Sequence, residues 1–317
     1  MKSFQSVFAG RLSAYIQLRD ALGFRSEDAV FCLRTFDRHV FEQNHTGPLT
    51  QELALEFACS NPKTCTNYCA RRYQVVRHFS EYLSTFDPQT PHLDPKALQR
   101  SKGRDPRHIY TDQELDKIMH EALHVSPRKP LSGLTLHTTI GLAASTGLRI
   151  SEVVRLDRED VDLKTGVLNI RCSKFNKNRL VPLHTTTLEV VRSYAAARDA
   201  AFPNCKAVAF FVNATQKRFV RNTLQQLFAK VARRAGLRGP KGRGPSFHDL
   251  RHRFATERLV RWYEAGIDVQ GVLPALATYM GHAHYSDTAY YLQATAELLS
   301  LASERYQRWL SGKEAQQ

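Results

Sequence analysis

Residues 166–183 read GVLNIRCSKFNKNRLVPL. Val167, Leu168 and Ile170, then Leu180, Val181 and Leu183, make two short apolar runs, and the largely polar SKFNKN between them suits a turn. The spacing predicts two paired strands. On either side the apolar period changes to that of helices, over about 131–146, 186–201, 220–235, 247–264 and 295–310. This half of the chain is therefore mixed α+β, mainly helical with one small sheet. Its start is marked by TDQE at 111–114, where Thr111 caps a helix and Glu114 reaches back to complete a capping box.

Further upstream, residues 87–110 (DPQTPHLDPKALQRSKGRDPRHIY) carry four prolines and little periodicity, the composition of an extended linker. Before it, from Phe4 to about Phe86, apolar residues recur at helical spacing, as in Val30, Leu33, Phe36, Val40 and in Tyr73, Val76, Phe79, Leu83. The expected organisation is a helical domain over 1–90, a linker over 91–108 and a second domain over 109–317.

A length of 317 residues and 42% hydrophobic content suffice for two cores. Forty-five Lys and Arg against 30 Asp and Glu leave a formal charge of +15, with a pI near 9.7. Such an excess favours a polyanion, nucleic acid ahead of an anionic membrane surface, through counterion release. No apolar run approaches the ~18 residues of a membrane span, and MKSFQSVFAGRLSAY has no uninterrupted apolar core of a signal peptide. A cytoplasmic location follows as the expectation. Six cysteines in so long a chain read as thiols rather than a disulfide framework. Cys65 and Cys69, with Cys59 and His78 nearby, have metal-site spacing, but small buried cysteines are the commoner case.

Four groups of residues carry chemistry. In ASTGLRISE (144–152) Gly147 breaks one helix and Ser151 helps start the next, leaving Arg149 at the turn. An arginine there suits a phosphate, because its planar fork donates two hydrogen bonds and keeps its charge. In SFHDLRHRFATERL (246–259) a helix puts His248 and Arg251 one turn apart on one face, a proton-exchanging group beside a fixed cation. Met280-Gly281-His282 is followed by Tyr291, nine residues beyond the histidine. A phenol with a pKa of about 10 needs surrounding cations before it can attack. Lys174, at the tip of the expected hairpin, can enter a DNA groove and act as a proton donor, with Lys177 and Arg179 as competing phosphate contacts. Each group alone also reads as a surface arginine, a basic solvated helix or a core tyrosine.

Taken in order, TGLRISE, SKFNKNRLVPL, HDLRH and GH with Tyr291 resemble the active-site signature of the tyrosine recombinase (phage integrase) family. The resemblance covers about Thr111 to Tyr291. It implies a mainly α fold with a small β-sheet, in which an all-helical, SAM-like core-binding domain precedes a mixed α+β catalytic domain. It further implies that Arg149, Lys174, His248, Arg251 and His282 surround a scissile DNA phosphate while Tyr291 attacks it, with Glu152 supporting. Attack would leave a 3′-phosphotyrosyl link and a free 5′ hydroxyl, without metal, ATP or other cofactor. The sequence has no GxxxxGK[ST] phosphate loop and no convincing carboxylate cluster for a two-metal site.

Two features depart from the family pattern. Thirty residues separate Arg251 from His282, more than is usual, and Tyr290 stands beside Tyr291. The resemblance also implies double-stranded DNA as partner, tetramers on synapsed DNA and a nucleoid-associated site-specific recombinase of integrase or transposase type, which accessory recombinases could join. ATAELLSLASERYQRWL, with Leu298, Leu301, Tyr306, Trp309 and Leu310 on one face, would dock on a neighbouring protomer or on its own domain. The stretches Lys63–Arg77 and Arg233–Arg243 are candidate DNA contacts. A type IB topoisomerase and a catalytically silent DNA-binding protein are the alternative readings.

Overall fold

Two compact units make up the chain, Met1–Arg104 and Asp105–Gln317. The structure, a computed structural model, describes residues 4–24, 27–61, 65–98, 107–125, 130–171, 178–239, 244–282, 286–293, 300, 302–304 and 306–307.

In the first unit four helices, α1 (Ala9–Ala21), α2 (Glu27–Glu42), α3 (Gln51–Cys59) and α4 (Thr66–Ser84), turn their apolar stripes inward. Leu12, Phe36, Val40, Leu53, Phe57, Tyr73, Val76 and Phe79 form the buried centre. Phe36 meets Phe57 edge-on with centroids 5.2 Å apart. Each such ring stabilises the unit by roughly 1.5–3 kcal/mol relative to exposure. Thr50 caps α3 by accepting from the Leu53 amide. The beginning of the expected linker lies on this core: Leu93 is buried, Tyr73 donates its hydroxyl hydrogen to the Asp94 carbonyl, and Ser80 donates to the Pro91 carbonyl. The arginines of the Lys63–Arg77 stretch that are described are engaged within the fold. Arg71 pairs with Asp28, Arg72 is buried over the Phe57 ring, and Arg77 pairs with Glu81.

The second unit opens on α5 (Asp112–Leu123), with the Thr111–Glu114 capping box in place. Helix α6 (Pro130–Thr146) runs into α7 (Ile150–Arg155). A three-stranded antiparallel sheet follows: β1 (Val161–Asp162), β2 (Val167–Ile170) and β3 (Arg179–Pro182), in that order across the sheet. The β2–β3 register sets Leu168 opposite Val181 and Ile170 opposite Arg179. Leu168, Ile170 and Val181 face the core while Leu180 faces solvent, the alternation of a half-buried sheet.

Beyond the sheet lie α8 (Thr185–Ala201), α9 (Arg221–Arg234), α10 (Asp249–Glu264), α11 (Val269–Met280) and α12 (Ser286–Ala289). Residues 300, 302–304 and 306–307 are helical, whereas Leu298, Leu301, Trp309 and Leu310 of the expected terminal stripe lie outside the described residues. The long interval between Arg251 and His282 is occupied by the remainder of α10 and by α11. α7 is the helix expected after Gly147, and α12 fills the room for a short helix between His282 and Tyr291. β1 and α11 were not anticipated: β1 is too short to show a period, and α11 (VQGVLPALATYM) is largely apolar and contains Pro274. Among the described residues no helix is long and apolar enough to cross a membrane, and no group of three or more His, Cys, Asp or Glu is placed to hold a metal ion.

Candidate active site

The site is built where α6 stops, α10 starts and α11 stops. Gly147 ends α6 in the left-handed region, with φ of 65°. A Cβ at that position would lie 2.6 Å from Cδ1 of Phe254 on α10, so both conformation and space require glycine. Arg149, not Ser151, then caps α7. Ser151 falls inside the first turn, and it is the Glu152 carboxylate that accepts the Arg149 amide at 2.9 Å. The Arg149 guanidinium donates to Glu152 Oε1 (2.9 Å), to the Gly281 carbonyl (3.0 Å) and to the Met280 carbonyl (3.4 Å).

Arg251 enters the same place from α10, whose first turn is fixed by Asp249 accepting from the Ser246 amide and hydroxyl. It is almost wholly buried, at 2% exposure, and donates to the carbonyls of Gly147 (2.6 Å) and Met280 (2.8 Å). Burial, then the charge of Arg149, brings its pKa down to about 10, which leaves it charged at neutral pH. Met280 thus offers one carbonyl to both arginines. It does so because Gly281, with φ of 67°, closes α11 in a left-handed cap and turns the chain toward His282.

The histidines are neutral at neutral pH. Burial, followed by the charges of Arg251 and Arg149, lowers His282 to about 3. Its Nδ1 lies 2.5 Å from Oγ1 of the buried Thr288 on α12. The protein packed around His248, and then Arg251, lower the pKa of that ring also. His248 is the residue preceding α10, and part of its surface is exposed.

Tyr291 is 3% exposed and lies in the 3-10 turn Tyr290–Gln293. Its ring stacks on His282 (centroids 6.0 Å, 19°) and meets His252 edge-on (5.3 Å, 62°), which in turn meets His248 (5.0 Å, 89°). Burial raises its pKa, while the charge of Arg251 and a hydrogen bond donated by that guanidinium oppose the rise. The phenol therefore stays protonated until a cationic site and a base act on it together.

The structure thus brings Arg149, Glu152, His248, Arg251, His282 and Tyr291 into one place from four separate stretches of sequence. Lys174 lies outside the described residues, as does the side chain of Tyr290. Two residues of the site were not assigned to it from sequence. His252 was visible only as a neighbour of Arg251, and its helical position one turn beyond His248 was the available signal. Arg179 was taken as a phosphate contact. Instead it is committed to a buried ion pair, donating to both oxygens of Glu152 at 3.0 Å.

Among the described residues three arginines (Arg149, Arg179, Arg251) outnumber the carboxylates of Glu152 and Asp287, leaving positive charge in excess beside a buried phenol. Such an arrangement can bind a phosphodiester and stabilise added negative charge on it.

Residues 109–297 match the phage integrase family. Over 305 residues the chain is 45% identical to a putative integrase/recombinase, y4rE, of Sinorhizobium fredii, spanning 96% of this chain and 97% of that one. It is 30% identical over 251 residues to tyrosine recombinase XerD of Ralstonia nicotianae, covering 78% of this chain and 76% of the relative. The fold is similar to that of the XerH site-specific recombinase, solved on palindromic difH substrate in a post-cleavage complex, with a TM-score of 0.64 at 19% identity over 91% of this chain and 82% of that one. On the match across 109–297 and the near full-length relative, the chain belongs to the phage integrase family, the tyrosine recombinases.

Proposed function

We propose that the protein cuts and rejoins double-stranded DNA at specific sites through Tyr291. Arg149 and Arg251 hold the scissile phosphate, and Glu152 fixes Arg149. The Tyr291 oxygen forms a bond to phosphorus as the bond to the 5′ oxygen breaks, giving a 3′-phosphotyrosyl link and a free 5′ hydroxyl. His248, whose ring is neutral, accepts the phenol proton, while His282 stays neutral beside the Tyr291 ring. Lys174, which lies between β2 and β3 in the sequence, supplies the proton that the departing oxygen takes up. Rejoining reverses these steps, so the phosphodiester energy is retained without ATP. The N-terminal unit serves as a core-binding domain, joined by the basic linker, and synapsis pairs copies of the chain on DNA in the cytoplasm. Lambda integrase has been solved as a tetramer on a Holliday junction, which supports assembly of this kind.

The observation that carries this reading is Tyr291 buried against Arg251 inside an arginine-rich pocket. A topoisomerase would share the chemistry, but the near full-length relatives are integrases and recombinases. The test is covalent trapping on nicked suicide duplexes tiled across the flanks of the gene, with wild type and Tyr291→Phe side by side. An adduct lost only in Tyr291→Phe is expected. Persistence of the adduct in that variant would move the nucleophile to Tyr290, and binding without any adduct on every duplex would favour a silent DNA-binding protein.

A further inference from the structure

Arg179 belongs to the strand that returns from the hairpin, yet its side chain is 9% exposed and reaches away from the sheet. Its Nε donates to the Tyr279 carbonyl at 2.7 Å, while Nη1 and Nη2 grip both oxygens of Glu152. Tyr279 answers through its hydroxyl, which donates to the Pro182 carbonyl at 3.4 Å. The end of α11 and strand β3 are therefore tied in both directions. Gly281 is part of the tie, because a Cβ there would come within 2.6 Å of Arg179 Nη1. Glu152 in turn holds the guanidinium and the amide of Arg149.

One arginine thus joins three parts of the site: strand β3, the turn that presents Arg149, and the helix end that presents the Met280 and Gly281 carbonyls. We infer that Arg179 is a positioning residue for strand cleavage. It acts through Glu152 to set Arg149 and ties strand β3 to the end of α11, rather than contacting DNA. The inference rests on the recombinase reading above. A planar fork is needed for this arrangement, since a lysine ammonium offers neither two parallel bonds nor the third directed to Tyr279.

The experiment measures single-turnover adduct formation at saturating suicide duplex, together with the Kd for the same duplex and the melting temperature. The proteins are wild type, Arg179→Gln, Arg179→Lys, Glu152→Gln and the Arg179→Gln/Glu152→Gln double variant. A misplacement of about 1 Å at a reacting centre costs on the order of 100-fold in rate, and that is the loss expected for Arg179→Gln, with Kd unchanged within about threefold. Arg179→Lys should recover only part of the rate. The double variant should be no slower than the slower single variant, because both changes cut one path.

If Arg179→Gln melts too low to assay, Arg179→Lys carries the test, with a loss of at least about tenfold expected at unchanged Kd. Cleavage within threefold of wild type in either variant overturns the inference. So does a loss confined to Kd, which would make Arg179 a DNA contact, or a double variant whose losses multiply. Absence of any adduct with the wild-type protein would instead remove the recombinase reading and this inference with it.

Discussion

Replacing Gly147 by alanine tests the geometry on which the site depends. The residue holds φ of 65°, and its added Cβ would stand 2.6 Å from the Phe254 ring. A left-handed backbone at a residue with a Cβ costs roughly 1–2 kcal/mol, and overpacking against a buried ring costs a further ~1–3 kcal/mol. The sum, about 2–5 kcal/mol, corresponds to a melting-point loss of about 5–15 °C for a domain of this size. The Gly147 carbonyl also receives Arg251 at 2.6 Å, so any shift that relieves the clash moves the buried arginine. Adduct formation should fall tenfold to about 100-fold even where the protein remains folded.

Phe254→Leu separates the two costs. In a cycle with Gly147→Ala it should show a favourable coupling of about 1 kcal/mol or more, since a smaller side chain removes the collision but not the φ penalty. Thermal melts and suicide-substrate gels on the four proteins provide the data. A Gly147→Ala protein that melts within 1 °C of wild type and cleaves at the same rate would refute the reasoning, and zero coupling would remove Phe254 from it.

Acid should destabilise the second unit well before carboxylates titrate. His282 and His252 are held at about 3 and about 4 when folded, below the ordinary 6.5, so the unfolded chain takes up protons first. Stability is then full above about pH 6.5 and declines as pH falls toward 4. Urea midpoints at pH 7, 6 and 5 check this, and an unchanged midpoint would contradict it. Thr288→Val deletes the hydroxyl that sets the His282 ring, and about a tenfold fall in adduct rate is expected, with Thr288→Ser close to wild type. Equal rates in both variants would detach Thr288 from the site. Deleting residues 294–317 should leave cleavage of a single duplex intact and abolish synapsis if the terminal segment docks in trans. Unchanged synapsis in a gel-shift assay would exclude that docking.

The grouping of Arg149 and Arg251 with Tyr291 and the pairing of β2 with β3 were legible from sequence because each rests on local chemistry. Thr111 and Glu114 announce a helix start three residues apart, and LNI with LVP alternates as a half-buried strand must. What was hidden depends on distance in the chain. Arg179 looked like another cation of a basic turn, and nothing nearby shows that its partner, Glu152, lies 27 residues upstream. Helix α11 was missed because its exposed side carries Gly271, Pro274 and Ala275, so that no charged face sets off the buried stripe Val269, Leu273, Leu276 and Met280. Arg149 as a helix cap was equally unreadable: a side-chain oxygen is the usual signal, and here the carboxylate comes from Glu152 within the helix.

The choice of partners for the cations bears on catalysis more than their number does. Arg149 and Arg251 are fixed mainly by the neutral carbonyls of Gly147, Met280 and Gly281, which hold a guanidinium without cancelling its charge. Glu152 is the carboxylate at the site, and it is shared with Arg179. Among the described residues the three arginines outnumber Glu152 and Asp287, whose charge also reaches Tyr291, so positive charge remains in excess. In the proposed reaction a phosphodiester brings one negative charge, and the five-coordinate state formed on attack by Tyr291 would carry nearly two once the phenol has lost its proton. On that proposal the excess would favour the more negative transition state over the bound substrate, which is the condition for lowering a barrier rather than merely tightening binding. Had the arginines been fixed by carboxylates of their own, the same side chains would be as well ordered but electrostatically spent. Rate would then fall with affinity for the bound phosphate little changed.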